Sequence, residues 1–271
     1  FLKLNISNKN KSITHTRIGD KTQKIYGGAY HIEKCDEENF YNLYYQKVFI
    51  DHKLEYLTEK QLIDDGPLLI DIDMHFDSNV KKRKYNEEDK YDLLERYLKI
   101  IKEVCEINDD INVEIFILEK QNVNILEDKT KDGIHIIIGL KMHKAIQIII
   151  RDLIIKEIEK VWKKFELKNN IEEVFDEGVT KGHCNWQMYG SRKPGNEAYL
   201  ISDYYTVEFK NNEWIHLNKQ EKLFDTKKNF RKLSARYNNF PEVKINSKYD
   251  NKFTNIKNSM NKKSKKNEEN K

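Results

Sequence analysis

The chain has few of the features that would tie it to a membrane, a disulfide framework or a zinc site. Its three cysteines, Cys35, Cys105 and Cys184, lie far apart and form no pair spaced like zinc ligands, so neither a disulfide framework nor a zinc knuckle is expected. No apolar run approaches bilayer length and no signal-peptide pattern opens the chain, which argues against a membrane partner. There is no internal repeat. Charge surplus is also scarce where it would matter. The net charge is +4, but residues from Glu242 onward hold nine Lys against four acids, so residues 1–241 carry −1. Total charge is therefore no evidence for nucleic-acid binding, and any such surface must be a local patch. The chain opens on Phe1 rather than Met, as a piece of a longer polypeptide would.

With 271 residues, 38% hydrophobic and 35% charged, the chain can bury a sizeable core and has the composition of a soluble, intracellular protein with a polar tail. The most informative stretch is Pro67–Asp77, PLLIDIDMHFD. Leu68, Leu69, Ile70 and Ile72, after the Gly66-Pro67 break, read as a core strand. Alternate strand side chains share a face, so Asp71 and Asp73 project together while Ile72 packs behind them. Two carboxylates this close repel each other unless a cation lies between them, which suits a divalent metal. Taken alone, the pair is equally well read as a strand end running into solvent.

Residues 1–24 are polar and read as a loosely held lead-in. Ile25–Ile32 is a short strand broken by Gly27-Gly28, where a bulge or hairpin turn is favoured over contact with a nucleotide or template. Glu38–Ile50 reads as a helix whose Tyr41, Tyr44, Tyr45, Val48 and Phe49 form a core face rather than a base-stacking platform. Glu87–Ile107 is an amphipathic helix, Val113–Leu118 and Gly133–Leu140 are strands, and His143 to about Lys168 is a long helix. Strands are expected around Trp186–Tyr189 and Ala198–Phe209, and a short helical stretch near Gln220–Tyr237. The order β-α-β-β-α-β from Leu68 to Tyr189 predicts an α+β fold with an RNA-recognition-motif-like (ferredoxin-like) sheet and an N-terminal α/β module. Residues 241–271 have few apolar anchors and read as a Lys/Asn-rich disordered tail or linker, which leaves 25–240 as the functional domain.

Three further features belong with the Asp pair. Lys131, Gly133 and His135 share one face at the mouth of a strand, a donor-rich face that suits a triphosphate. Asp176, in EEVFDEG, is as a lone acid most often a turn residue or helix cap; it matters because two-metal sites need a carboxylate from another element. Gly190-Ser191-Arg192-Lys193-Pro194 puts a hydroxyl and two cations at a strand end, or else makes a basic turn.

The order DID, GIH, FD, YGSRKP, with the lead-in THTRIGD and IYGGAYHI, resembles the archaeo-eukaryotic primase superfamily. The resemblance is to the primase-polymerase domains of primase-helicases from nucleocytoplasmic large DNA viruses, and it spans about Ile13 to Phe209. It implies the archaeo-eukaryotic primase fold and template-directed nucleotidyl transfer in DNA replication, as a DNA primase or primase-polymerase. Asp71, Asp73 and Asp176 would be catalytic and would bind two Mg²⁺ or Mn²⁺ ions. Lys131, Gly133 and His135 would hold the incoming nucleotide's phosphates, and Lys193, helped by Ser191 and Arg192, would neutralise charge on the pyrophosphate. The partners implied are a single-stranded DNA template, nucleoside triphosphates and a replicative helicase on the same longer polypeptide. The place implied is intracellular, at a cytoplasmic or nuclear site of viral DNA replication. In one departure, the arginine that related enzymes commonly carry between the third Asp and GSxK is replaced here by His183, Cys184, Asn185 and Gln187, with Lys181 or Arg192 as candidate substitutes.

Two other classes compete. A non-catalytic single-stranded nucleic-acid-binding module would use the same sheet without metal. A replication-initiator nickase would need two histidines flanking one hydrophobic residue, and Ile134-His135-Ile136 supplies only one.

Overall fold

The computed structural model describes residues 1–8, 11–220 and 224–269. The strand expected at Leu68–Ile72 runs Gly66–Phe76, with Pro67 at a shift in its pairing register, a place where a missing N–H costs the ladder little. Its alternate residues Ile70, Ile72, Met74 and Phe76 are buried in one cluster with Leu94, Tyr97, Leu98 and Ile101 of the helix Glu87–Val104. Ile149, Ile150 and Ile154 of the helix Lys144–Val161 complete that layer. Each fully buried Leu or Ile contributes about 1.5–3 kcal/mol. The first helix starts where it does because Asn86 and Asp89 form a reciprocal capping box, which satisfies two otherwise orphaned N–H groups.

Both helices lie on one face of the main sheet. In that sheet Gly66–Phe76 is an edge strand beside Thr130–Met142, followed by Ile111–Glu119, Leu200–Lys210 and Glu213–Lys219, each antiparallel to its neighbours. The other face carries a smaller cluster that includes Leu69, Phe116, Leu118, Ile137 and Trp186.

The fold is α+β, and its β-α-β-β-α run follows the expected order, but the strand expected to complete that run does not join this sheet. Trp186–Gln187 pairs instead with Leu57–Glu59, at the edge of a small sheet that also holds His15–Arg17 and Gly28–Tyr30. The reason is that the free edge of Gly66–Phe76 is already taken. The helical turns Ile171–Val174 and Glu177–Thr180 pack against that strand, and Phe175 bridges to Ile72.

Two expectations about the chain's ends give way to the structure. His15–Arg17, within the stretch 1–24, pairs on both sides in the small sheet, with Thr14 and His15 buried. Residues expected to be a disordered tail form a strand, Lys244–Ile245, paired with Cys105–Glu106, and then the helix Asp250–Glu269. Tyr249, Phe253 and Ile256 of this region pack on the main core. Of the helical stretch expected near 220–237, only the turns Thr226–Asn229 and Phe230–Leu233 form, and residues 221–223 lie outside the described residues.

The aromatic helix runs Glu37–Tyr45 and continues as a π-helical turn, Gln46–Ile50. Its Tyr41 and Tyr44 are buried, with Tyr45, Val48 and Phe49 packed beside them, as core. Gly27 packs closely on backbone: a Cβ there would sit 2.9 Å from the Gly19 nitrogen. Among the described residues no helix is long and apolar enough to cross a membrane.

Candidate active site

The pairing register of the two long neighbouring strands sets acids against cations. Asp71 lies opposite His135, Asp73 opposite Gly133, and His75 opposite Lys131. Because side chains alternate, these residues share the sheet face away from the two long helices. His135 Nε2 is 3.4 Å from Asp71 Oδ1, and Lys131 Nζ is 2.7 Å from Asp73 Oδ2. His75 Nε2 also approaches Asp73 Oδ2, at 3.3 Å. Sequence reasoning missed His75, although the same period of two that joins Asp71 to Asp73 continues to it.

Asp176 reaches the site through its main chain. Its N–H donates to the Asp71 carbonyl at 3.0 Å, one residue from the Ile72–Phe175 bridge. Its side chain is also the helix cap that a lone acid in this position suggested: Oδ1 accepts from the Val179 N–H at 2.9 Å. The three carboxylates are hard oxygen donors of the kind Mg²⁺ and Mn²⁺ take, and the contacts above engage one oxygen of each. Among the described residues, however, no three His, Cys, Asp or Glu side chains converge as a metal-holding group. The donor type fits a divalent ion and the pair Asp71–Asp73 shares a face, but the third carboxylate is turned to its cap.

The cations converge from several elements on a cleft of about 230 Å³ whose lining includes Asp73, Lys120, Lys131, His135 and Lys193. Lys120 follows the Ile111–Glu119 strand directly, and it was not singled out from the sequence because it sits in a polar stretch with no pattern of its own. Among the described residues neither Lys120 nor Lys193 has an ion pair. Burial lowers the Lys120 pKa, with the positive charge of Lys193 adding to the effect. Burial pushes the Asp71 pKa up, but His135, Lys193 and Lys120 outweigh it and hold the carboxyl below its ordinary value. Asp71 is therefore ionised at neutral pH and surrounded by donors. His135 is fixed from both sides, stacked on Tyr199 with ring centroids 3.6 Å apart and 4.4 Å from the Trp186 ring.

Three expected site residues are placed differently from the rest. Gly133 lines the cleft, but a Cβ there would meet the Tyr199 hydroxyl at 2.5 Å and the Ile72 carbonyl at 2.9 Å, so its missing side chain makes room for Tyr199. Ser191 is 1% exposed; its hydroxyl accepts from the Leu57 N–H at 3.2 Å and bonds the Tyr44 hydroxyl at 3.0 Å. It joins the small sheet to the aromatic helix and does not face the cleft. Arg192 donates its N–H to the Glu55 carbonyl, and its Nε is buried without a hydrogen-bond partner among the described residues, away from the cleft. Gly190, at φ +83°, makes the turn and packs against Phe49 and Val48, so of the GSRK segment only Lys193 is delivered to the cleft. Lys181 is paired with Glu177 at 2.5 Å and does not take the place of the absent arginine. Lys120 is the extra cation.

Residues 19–205 match the family described as the C962R protein N-terminal AEP domain, and the chain belongs to that family of archaeo-eukaryotic primase-type domains. It is similar to a protein of Acanthamoeba polyphaga mimivirus named "Putative helicase L207/L206", with 30% identity over 179 residues, or 65% of this chain. The chain spans only 18% of that relative's length.

Proposed function

We propose that the domain is a template-directed nucleotidyltransferase that makes primers, extends them, or both. The observation that carries this reading is the register that sets Asp71 against His135 and leaves Asp73 within 2.7 Å of Lys131, with Asp73, Lys131, Lys120 and Lys193 lining one cleft. The triphosphate of an incoming nucleotide sits among Lys120, Lys131 and Lys193, and His135, clamped between Trp186 and Tyr199, donates to a phosphate oxygen. Lys193 and Lys120 neutralise the charge that develops on the departing pyrophosphate. Asp71, Asp73 and Asp176 would hold two Mg²⁺ or Mn²⁺ ions, which supply Lewis acidity toward the primer 3′-hydroxyl and the α-phosphate. Catalysis is then positioning and electrostatics, with no side-chain nucleophile.

The β-α-β-β-α run is read as an RNA-recognition-type core, extended on its Ile111–Glu119 side and carrying the small N-terminal sheet as its α/β module. Single-stranded DNA is the template, and a helicase elsewhere on a longer polypeptide is the proposed companion. The viral relative's printed name and its far greater length support that placement. The site of action is that of viral DNA replication in the cytoplasm or nucleus.

One observation favours a second reading, a non-catalytic nucleic-acid-binding module: the three carboxylates do not converge as a metal-holding group among the described residues. Incubation with a single-stranded template, labelled nucleotides and Mn²⁺ separates the two. Incorporation by the wild type that is lost in Asp71→Ala/Asp73→Ala supports the enzyme. Equal incorporation by both sinks the active-site assignment, and template binding with no incorporation, indifferent to metal and to these substitutions, supports the module.

A further inference from the structure

The cleft is not the only depression lined by cations. On the opposite flank of the hairpin 119–131 lies a groove of about 470 Å³, walled by Lys81, Lys82 and Arg83 on one side and by Gln121, Asn122 and Ile125 on the other. Among the described residues no acidic side chain lines it. The hairpin is a shared wall, because Lys120 and Asn124 face the cleft while Gln121, Asn122 and Ile125 face the groove.

The two walls are fastened together. Arg83 donates to the Lys120 carbonyl at 2.9 Å, and the Thr130 hydroxyl donates to the Val80 carbonyl at 2.9 Å. Asn122 bonds both carboxylate oxygens of Glu197, at 2.8 and 2.9 Å, which ties the hairpin to the far side of the cleft. Arg83 is itself committed to Asp132 and Glu119, so it sets the floor and has no charge to spare.

The neighbouring lysines do have charge to spare. Lys81 Nζ donates only to the Ser78 carbonyl, and Lys82 has no ion pair or hydrogen bond among the described residues. Both side chains are exposed. The facing wall offers amides, which can donate to or accept from any base edge, and the half-exposed Ile125. Cations on one side and, on the other, the Gln121 amide with the Asn122 carboxamide oxygen fit a phosphodiester chain read without sequence preference.

We propose that this groove carries the backbone of a single-stranded nucleic acid on its way into or out of the cleft, with Lys81 and Lys82 on successive phosphates. The assignment of direction rests on the nucleotidyltransferase reading; the binding itself does not. An acidic peptide would also meet the lysines, but the groove lies one hairpin away from the three-lysine cleft, with Arg83 of its floor holding the Lys120 carbonyl, and this proximity favours a strand that supplies phosphates along its whole length.

The test is fluorescence anisotropy of a labelled oligo-dT with the whole chain, without metal or nucleotide, over a salt titration. Lys81→Ala/Lys82→Ala is compared with Lys21→Ala/Lys24→Ala, which removes the same charge from an exposed stretch elsewhere. Losing two phosphate contacts to a single strand lowers the salt slope by about 1.4 and weakens binding about 25-fold at roughly 0.1 M salt. Binding of ATP with Mn²⁺, followed by calorimetry, stays unchanged. The proposal is overturned if the wild type does not bind the oligonucleotide, if both double variants lose affinity equally, or if poly-glutamate binds through Lys81 and Lys82 as tightly as the oligonucleotide. If Lys81→Ala/Lys82→Ala loses oligonucleotide binding while the wild type incorporates no nucleotide, the groove stands and the enzymatic reading falls.

Discussion

The molecule contains two carboxylate–histidine pairs built in the same way. Glu59 lies opposite His15 on neighbouring strands of the small sheet, as Asp71 lies opposite His135 in the main sheet. Their surroundings differ completely. Glu59 and His15 are each 1% exposed, and Glu59 accepts from the Ala235 N–H at 2.7 Å, the Ser234 hydroxyl at 2.9 Å and the Tyr41 hydroxyl at 3.4 Å. Burial pushes Glu59 up to about 7 and His15 down to about 3. His15 is therefore neutral near neutral pH while Glu59 is only partly ionised, and Glu59 pins the segment at Ser234 and Ala235 to the N-terminal sheet. Asp71 has neighbours of another kind, His135, Lys193 and Lys120, which keep it charged although its side chain is only 23% exposed. The residue types in the two pairs are alike; the neighbouring cations and the depth of burial decide which pair holds the fold and which can meet a substrate.

The contrast breaks most sharply at the carboxylates themselves. Asp71→Ala/Asp73→Ala should lower template-dependent incorporation by at least about 10³-fold with an unchanged circular dichroism spectrum, since it removes charges aimed at the transition state. Glu59→Gln should leave incorporation by the folded protein intact. Lys120→Ala should cost about 100-fold in kcat/KM for the incoming nucleotide, on the scale of one removed electrostatic donor. An unaffected rate would reassign Lys120 to the scaffold.

A pH experiment sharpens the same comparison. The raised Glu59 contributes stability that is complete below about pH 4.5 and lost as pH rises through 7. The lowered His15 contributes stability that is present above about pH 6.5 and lost as pH falls toward 3. Between these limits the two oppose each other, so the wild-type contribution from this pair is flat. In Glu59→Gln, His15 acts alone, and urea melts should show about 2 kcal/mol of stability lost between pH 6.5 and 4.5 relative to the wild-type profile. Parallel profiles would mean the pair does not titrate as its burial requires. The smallest effect belongs to Ser191→Ala, which leaves the Leu57 N–H without its side-chain acceptor; stability should fall by about 1 kcal/mol while nucleotide affinity stays the same. A loss of affinity without a loss of stability would return Ser191 to the site.

Much of this arrangement was legible in the sequence. Period two placed Asp71 with Asp73, and Lys131 with His135, on single faces, and the hydrophobic runs located both strands and both long helices. Pairing register was not legible, because it depends on which strands meet, and register is what sets Asp71 against His135. Ser191 misled because a hydroxyl in a turn can point either way, and here the Gly190 turn sends it inward to Leu57 and Tyr44. Lys120 carried no local signal; its position follows from where the Ile111–Glu119 strand ends in three dimensions. The final helix was hidden by its lysines, although Tyr249, Phe253 and Ile256 already stood at helical spacing.

The hydrogen bond from the Asp176 N–H to the Asp71 carbonyl bears on timing. The bond holds the backbones that carry these two acids side by side. A metal that drew on the Asp176 oxygen now facing Val179 would compete with a helix cap worth about 1 kcal/mol. Side-chain turns belong to the picosecond-to-nanosecond range, so that competition would be settled far faster than any rearrangement of the fold.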